Sequence, residues 1–550
     1  MRCHFSCTLR FSTFYSEIIP KVAYDPVKKE ALVANAEEGA VDVISLIDPT
    51  NPVKVGELDV IGDVEAQFPD FVGDAVQAIE TSGNLVFVAV EADDGPGYVA
   101  IYSTTDLAYL GAVPVNAAPD ALTVSANGNV VAGVSEGDGD TPGSVFVITL
   151  DPSVCEPNCA EFFVDGGVGF ISDAVNYAIP DFGSVEELRS QGIRIADPDI
   201  PTNLQLAPEG ITVSPDGSLA LVNFQECNAI SAMDTSTGEF LWIDTYGTEI
   251  MTMDPSDRDG EIALASQWGG VTIKGLHMPD EIAAFDVDGQ TYIVTANEGG
   301  GDDVRVGDVG TTCYNNDFIV QDEVLGRLQV IDSYPVEFDD SGAIICDTIT
   351  TPSTRSFSVY SIDEDGVSMV FDSGSFMSEK VAETNPNFFN SDDDANDFEG
   401  RSDAKGVEPE GITVGTMPDG TILAFITSER VSGIFVYDVS DPENPLFQDY
   451  LNRRNFGDID ISDQVDDGVF TYASLDVGPE NFAFLPADVS PTCQTAILVA
   501  NPISGTTTMY NVVEADSIRE GDGHCESEEE CFALYGTPPS LAAATRACAV

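Results

Sequence analysis

Acidic residues stand ahead of the same kind of strand six times in this chain. Asp120 precedes ALTV, Glu209 GITV, Asp280 EIAAF, Glu410 GITV and Glu480 NFAF, each directly after a proline, and Asp74 before AVQAI is a looser copy. A second series, Glu37, Glu91, Glu136, Glu226, Glu298 and Glu429, closes the strand that follows, and only Asn501-Pro502 breaks it. A hairpin returns the chain to the side it left, so strand parity predicts both series on one face. Carboxylates converging there repel one another unless they are protonated or neutralised. Hard divalent cations with oxygen ligands, Ca²⁺ above all, are the natural neutraliser, with a further divalent metal as an extension. The competing reading is that each acid caps a turn by accepting backbone amides. Glu37, Glu91, Asp120, Glu136, Glu209, Glu226, Asp280, Glu298, Glu410, Glu429 and Glu480 are therefore the candidate metal ligands.

Satellite clusters add to this. Asp254, Asp257 and Asp259 lie in DPSDRDG, Asp138 and Asp140 in EGDGD, and Asp392, Asp393, Asp394 and Asn396 in SDDDAND. The last starts like a calcium loop, but Asp397 stands where an EF-hand needs Gly, so only a generic calcium loop is left. Basic residues are scarce, 21 Lys+Arg against 95 Asp+Glu, and several fall beside the acidic signatures or in the long insertions. Arg258, Lys274, Arg401 and Arg430 are the candidate phosphate contacts, since a guanidinium clamps phosphate in one plane. With a metal-bound hydroxide they would suit phosphoester hydrolysis. Paired with neighbouring Asp, the same arginines would be structural salt bridges. Nucleophile elbows, zincin helices and P-loops find no match in the chain.

The elements that must position these residues form a repeat. Each unit is a strand, a turn, a second strand ending in Glu, then a third strand. The turns read Pro26-Val27-Lys28, Asn127-Gly128, Pro215-Asp216-Gly217, Asp288-Gly289 and Pro418-Asp419-Gly420, all hairpin chemistry. VAYDP at Val22–Pro26 supplies a first unit, which makes seven. Units of about forty residues with several short strands and no helices predict a propeller. The fold class expected is all-β, a single seven-bladed β-propeller with long loop insertions at Asp244–Pro279 and Gly299–Val407. The last unit lacks an outer strand, and the alternating HFSCTLRFSTFY near the start can supply it. The propeller is expected over 1–512, with 513–550 an acidic Cys-containing tail outside it.

Composition narrows the function. A formal net charge of −74 repels nucleic acid and anionic headgroups, while 43% hydrophobic residues suffice for sizeable cores. No apolar run reaches the roughly 18 residues of a membrane helix, so no membrane span is expected. Eleven cysteines, with close pairs Cys155/Cys159 and Cys525/Cys531 and with Cys313 and Cys346 flanking an insertion, suggest local disulfides in an oxidising compartment. No signal peptide is visible over Met1 to Tyr15, and there is no Asn-x-Ser/Thr sequon.

Stretches from about Val22 to Val512 resemble the choice-of-anchor I family, which includes mesenchyme-specific cell surface glycoproteins of biomineralising animals and atypical alkaline phosphatases of cyanobacteria. They are ALVANAEEGAVDVISLIDPTNP, VAVEADDGPGYVAIY, SDRDG, KGLHMPDEIAAFDVDGQTYIVTANEG, RSFSVYSID, RSDAKGVEPEGITVG, ERVSGIFVYDVSDPENP and ISGTTTMYNV. The resemblance implies an extracellular propeller, association with calcium and, in some relatives, phosphatase activity. It transfers no catalytic residue. Asn501-Pro502 stands where the family usually has Asn-Glu, so one ligand of the ring is expected to be missing. The absent export signal is a second departure. Two expectations follow: an extracellular or cell-surface calcium binder in matrix or mineral handling, or a metal-dependent phosphomonoesterase at the same face. Their partners would be divalent cations, phosphoesters or matrix components.

Overall fold

The computed structural model describes residues 3–12, 21–35, 38–137, 139–149, 174–300, 304–309, 320–331, 348–457, 461 and 474–514. Glu37, Asp138, the pairs Cys155/Cys159 and Cys525/Cys531, Cys313, Cys346, Cys548 and the tail from 515 onward lie outside the described residues. Among the described cysteines Cys227 is a buried free thiol and Cys493 is disulfide-bonded.

Val-, Ile- and Phe-rich runs between Gly, Asp and Asn turns become strands, and almost all of their pairings are antiparallel. Seven four-stranded antiparallel sheets result, beginning with the strands Val22–Asp25, Gly73–Ser82, Pro119–Val124, Gly210–Val213, Ile282–Val287, Pro409–Thr416 and Asn481–Leu485. In the last of them Cys3–Ser12 pairs with Thr506–Glu514 and so supplies the outer strand that its own segment lacks. Each opening strand packs against the next in chain order, and Asn481–Leu485 packs against Val22–Asp25. Four-stranded meanders packed side by side through their opening strands are the construction of a β-propeller.

Second strands are buried almost throughout, as Leu85–Ala92 and Leu219–Phe224 are, because they lie between two neighbouring sheets. Fourth strands are less buried, and Val53–Leu58 is mostly exposed. The core therefore sits between sheets: Leu32, Val41, Val76, Val88 and Tyr102 fill one such interface. Burying each of these side chains contributes about 1.5–3 kcal/mol. The turn between Ile282–Val287 and Gln290–Ala296 needs positive φ at both central residues, and Asp288 (φ 53°) and Gly289 (φ 82°) provide it.

Two sequence expectations need correction. Helices are present, with Val60–Gln67 and Phe376–Thr384 the longest described. The insertion 299–407 is also more than a loop. The outer strands of the fifth sheet, Phe357–Ile362 and Val367–Asp372, lie inside it. Thr348–Thr351 runs parallel to Val271–Leu276 in an additional sheet with Thr248–Ile250 and Gln267–Trp268. The extra chain is inserted between the second and third strands of one sheet, so the spacing of opening strands could not locate it.

Candidate metal centre

The two acidic series meet. Burial first, then the fields of Lys21, Glu281 and Glu91, set the Asp120 carboxyl, which is pushed up to about 6. Glu209 is raised by burial and by Glu136, Asp280 and Glu226; Asp280 by burial and Glu298, against Lys21. Burial together with Glu429 and Glu480 raises Glu410. Each opening-strand acid thus feels second-strand glutamates from its own or a neighbouring sheet. The backbone helps to aim them. At Pro119/Leu122 and Pro409/Ile412 the ladder slips by a bulge, which turns the acid out of the regular pleat. Asp74 is the exception: it is exposed. In its sheet Gln77 instead donates to Glu91, over 2.5 Å.

One cation inside this acidic surround was not singled out in the sequence. Lys21 directly precedes Val22–Asp25, as Glu209 precedes Gly210–Val213 and Glu480 precedes Asn481–Leu485. A lysine thus occupies the signature position in the first sheet. Its Nζ lies 3.2 Å from Glu281 Oε1. Burial works to lower its pKa, and Glu281, Asp280, Asp120 and Glu480 outweigh it, so Lys21 stays charged. Glu281, the unremarked second acid of PDEI, also accepts the Ile412 amide at 3.0 Å and the Asn481 side chain at 3.4 Å. The equivalence of Lys21 with the signature acids was a legible signal; the role of Glu281 was not.

Lys405 bonds Glu298 and lies 3.5 Å from Glu408. Glu408 is fully buried and takes Arg401 NH2 at 2.8 Å on Oε1 and Arg430 Nε at 3.1 Å on Oε2. Burial alone would raise its carboxyl, but Lys405, Arg401 and Arg430 hold it below the usual range. Arg430 reaches Asp393 as well, NH1 to Oδ2 at 2.6 Å, and Arg454 donates to Asn396 Oδ1 and the Ala395 carbonyl. Arg430 and Arg454 thus reach the SDDDAND loop, in which Asp392, Asp393 and Asp394 each present a carboxylate oxygen within 4.8 Å of the others.

Lys21 on one side and the Glu408 cluster on the other leave a third group. Glu410, Glu429 and Glu480 each present a carboxylate oxygen, and these lie within 4.8 Å of one another. Glu410 Oε2 and Glu480 Oε2 are buried without a hydrogen-bond partner. Burial pushes Glu480 up to about 8, against the fields of Lys21 and Arg430, and raises Glu429 despite Arg430 Nε 3.0 Å away. Three carboxylates meeting here, two of them with a buried oxygen that has no hydrogen-bond partner, suit a hard cation. Gly411 allows the approach: a Cβ there would overlap the Glu480 carbonyl oxygen. Gly411→Ala is expected to cost roughly 1–3 kcal/mol and to lower the melting temperature. An unchanged melting curve would show that the two strands tolerate separation.

Arg401 and Arg430 share Glu408, whereas Arg258 pairs with Asp257 at 3.2 Å and Lys274 lies in the additional sheet. Among the described residues no ion pair ties Arg258 or Lys274 to Glu408. Asp257 also binds Arg327, which bridges to Asp403, itself paired with Arg305. Arg194 pairs with Glu226 at 3.1 Å, so that ring acid carries its own counter-ion.

The choice-of-anchor I domain matches residues 20–442, most of the chain, with five of the seven four-stranded antiparallel sheets whole and the first three strands of the sixth. The chain belongs to the choice-of-anchor I family. That match contains all of the candidate ligands except Glu480. No curated protein matches the chain. Among solved structures it is similar to the β-propeller domain of Cps50 (Swd1) from Myceliophteria thermophila, at 8% identity over 93% of this chain and 100% of that one, TM-score 0.43. It is similar also to the C-terminal WD40 domain of Sif2, at 9% identity over 93% and 99%, TM-score 0.41. A protein from Lactobacillus plantarum matches at 10% identity over 91% and 94%, TM-score 0.42. Among the described residues no helix is long and apolar enough to cross a membrane.

Proposed function

We propose that this choice-of-anchor I protein is a seven-bladed, acidic β-propeller that binds Ca²⁺ where its opening strands converge, and that it works at the cell surface or outside the cell in matrix- or mineral-related binding. The observation that carries the reading is the Glu410–Glu429–Glu480 group, with two buried oxygens left unpartnered beside residues that are otherwise neutralised by Lys21, Lys405, Arg401 and Arg430. Seven four-stranded sheets whose opening strands pack in succession support the blade count. Calcium is favoured over softer metals because the donors are all carboxylate oxygens. Calorimetric titration of calcium into chelator-stripped protein tests it: saturable binding is expected, and heat no greater than dilution at matched ionic strength would overturn it.

A metal-dependent phosphomonoesterase at the same face is the second reading, favoured by Arg430 standing beside Glu429. Its weakness is that the Arg401 and Arg430 donors face Glu408, Glu429, Asp392 and Asp393 rather than open space. Calcium-loaded protein is expected to leave a chromogenic phosphomonoester intact. Hydrolysis that chelation abolishes and Arg430→Ala diminishes would replace the binding reading with the enzymatic one.

A further inference from the structure

We propose a binding site for a small organic ammonium ion, a protonated amine with an apolar body, in the cavity between the opening strands of the first, second, sixth and seventh sheets, with Glu80 as its anionic partner. This goes beyond the reading above and stands on different residues.

The cavity has a volume of about 380 Å³, within the range of small-molecule sites. Tyr24, Glu80, Thr413 and Phe484 each come to it from a different opening strand: Val22–Asp25, Gly73–Ser82, Pro409–Thr416 and Asn481–Leu485. Val22 and Phe482 extend its apolar wall. None of the candidate metal ligands lines it. Those on the opening strands stand where the strands begin, whereas Tyr24 and Glu80 stand near the ends of theirs. Two hydrogen bonds fix the lining. Tyr24 donates its phenol to the Val489 carbonyl at 2.9 Å, and the Thr81 hydroxyl donates to the Tyr24 carbonyl at 2.9 Å. With its proton so placed, the Thr81 oxygen is left as an acceptor. Glu80 is half-buried, and among the described residues no cationic side chain bonds it. Burial raises its carboxyl to about 7, with the Thr81 amide working against the rise and the field of Glu281 adding to it.

The chemistry of the lining selects the ligand. Glu80 and the Thr81 oxygen are acceptors, and an ammonium group is a donor with no lone pair to clash with them. An anion would meet Glu80 and the negative potential of a chain with net charge −74. A hard divalent ion takes about six to eight oxygens, whereas one carboxylate and apolar walls are offered here. A neutral apolar molecule would seal Glu80 from water without a partner, which costs free energy. An amine with a hydrocarbon body meets both demands, its charge on Glu80 and its carbons against Val22, Phe482 and Phe484. The lysines of the first sheet are engaged elsewhere, Lys21 on Glu281 at 3.2 Å and Lys29 on the Ser490 carbonyl at 3.3 Å.

Benzylamine, benzyl alcohol and benzoate share a shape and differ in charge, so they serve as probes. Each is titrated by calorimetry into full-length protein, in chelator and in saturating calcium. The buffer is basic enough to ionise Glu80 and acidic enough to keep the amine protonated. Benzylamine is expected to bind saturably in both media, with benzyl alcohol and benzoate weaker by roughly tenfold or more. Glu80→Gln keeps the volume and removes the charge, and is expected to weaken benzylamine roughly tenfold or more while leaving benzyl alcohol unchanged. Ala483→Leu fills part of the cavity without touching Glu80 and is expected to weaken amine and alcohol alike. An equal loss in Glu443→Gln, at an exposed acid, would mean that general charge governs binding and would overturn the proposal. Benzylamine displaced by calcium and unaffected by Glu80→Gln would move the amine to the acidic face, which overturns it too. So would equal affinity for amine and alcohol, or no saturable benzylamine binding. Melting curves report folding: Glu80→Gln removes a like charge from the field of Glu281 and should melt no lower than the unaltered chain.

Discussion

Calcium is expected to raise the melting temperature of the chelator-stripped protein saturably, and Glu480→Gln is expected to remove a large part of that rise. Glu480 sits where three opening- and second-strand acids meet, and its Oε2 has no other partner. A ligand that binds only the folded state stabilises it by RT ln(1 + [L]/Kd), about 2.7 kcal/mol when free ion exceeds Kd a hundredfold. Sodium at equal ionic strength acts on the whole surface through screening and does not reproduce a saturable effect. The net charge of −74 makes that control necessary, because any salt relieves some of the general repulsion. Glutamine at 480 keeps the volume and removes a charge. In chelator the variant should therefore melt at or above the unaltered chain, and with calcium below it. Coincident calcium and sodium curves for the unaltered protein would reduce the acidity to a solubility device. A full calcium response in Glu480→Gln would move the ion elsewhere.

The second large effect is on pH. In chelator, the protein should lose stability as pH rises from about 5 to about 8, the reverse of what ordinary salt-bridged carboxylates produce. Burial pushes Asp120 to about 6 and Glu480 to about 8, both above the values such groups have in an unfolded chain. Between the unfolded and folded values the native state holds protons that the unfolded state has released. Stability is then greatest below the unfolded pKa and declines as each group ionises in the folded protein. Glu408 and Asp372, held below the usual range, act in the opposite sense, but only in more acidic solution. Saturating calcium should flatten the decline, since the ion takes over the role of the proton. Thermal unfolding in chelator across this range, repeated with calcium, measures both. A melting temperature that climbs toward pH 8 in chelator would mean these carboxylates are ionised and already neutralised.

Much of this was carried by local text. The prolines ahead of Asp120, Glu209, Asp280, Glu410 and Glu480, the Asp-Gly and Asn-Gly turns, and the glutamates at strand ends all act within one hairpin. Their spacing reports strand parity, and parity is a local property of the chain. Short inserted loops do not disturb it. The long insertion did: with Phe357–Ile362 displaced far from Gln290–Ala296, the third strand of its sheet lost the spacing that marked the others.

The sequence by itself therefore determined the class of fold and the repeated unit. Tertiary structure decided which of the repeated acids are already neutralised. Lys21 reaches Glu281 across 260 residues and Lys405 reaches Glu298 across 107, whereas Arg401 meets Glu408 only seven residues on. No spacing rule relates residues so far apart, because their meeting depends on how successive sheets pack through their opening strands. The same packing brings Glu480 against Glu410 and Glu429. A carboxylate's charge depends on its neighbours in space, and for Glu281, Glu298 and Glu480 those include groups far away in the chain.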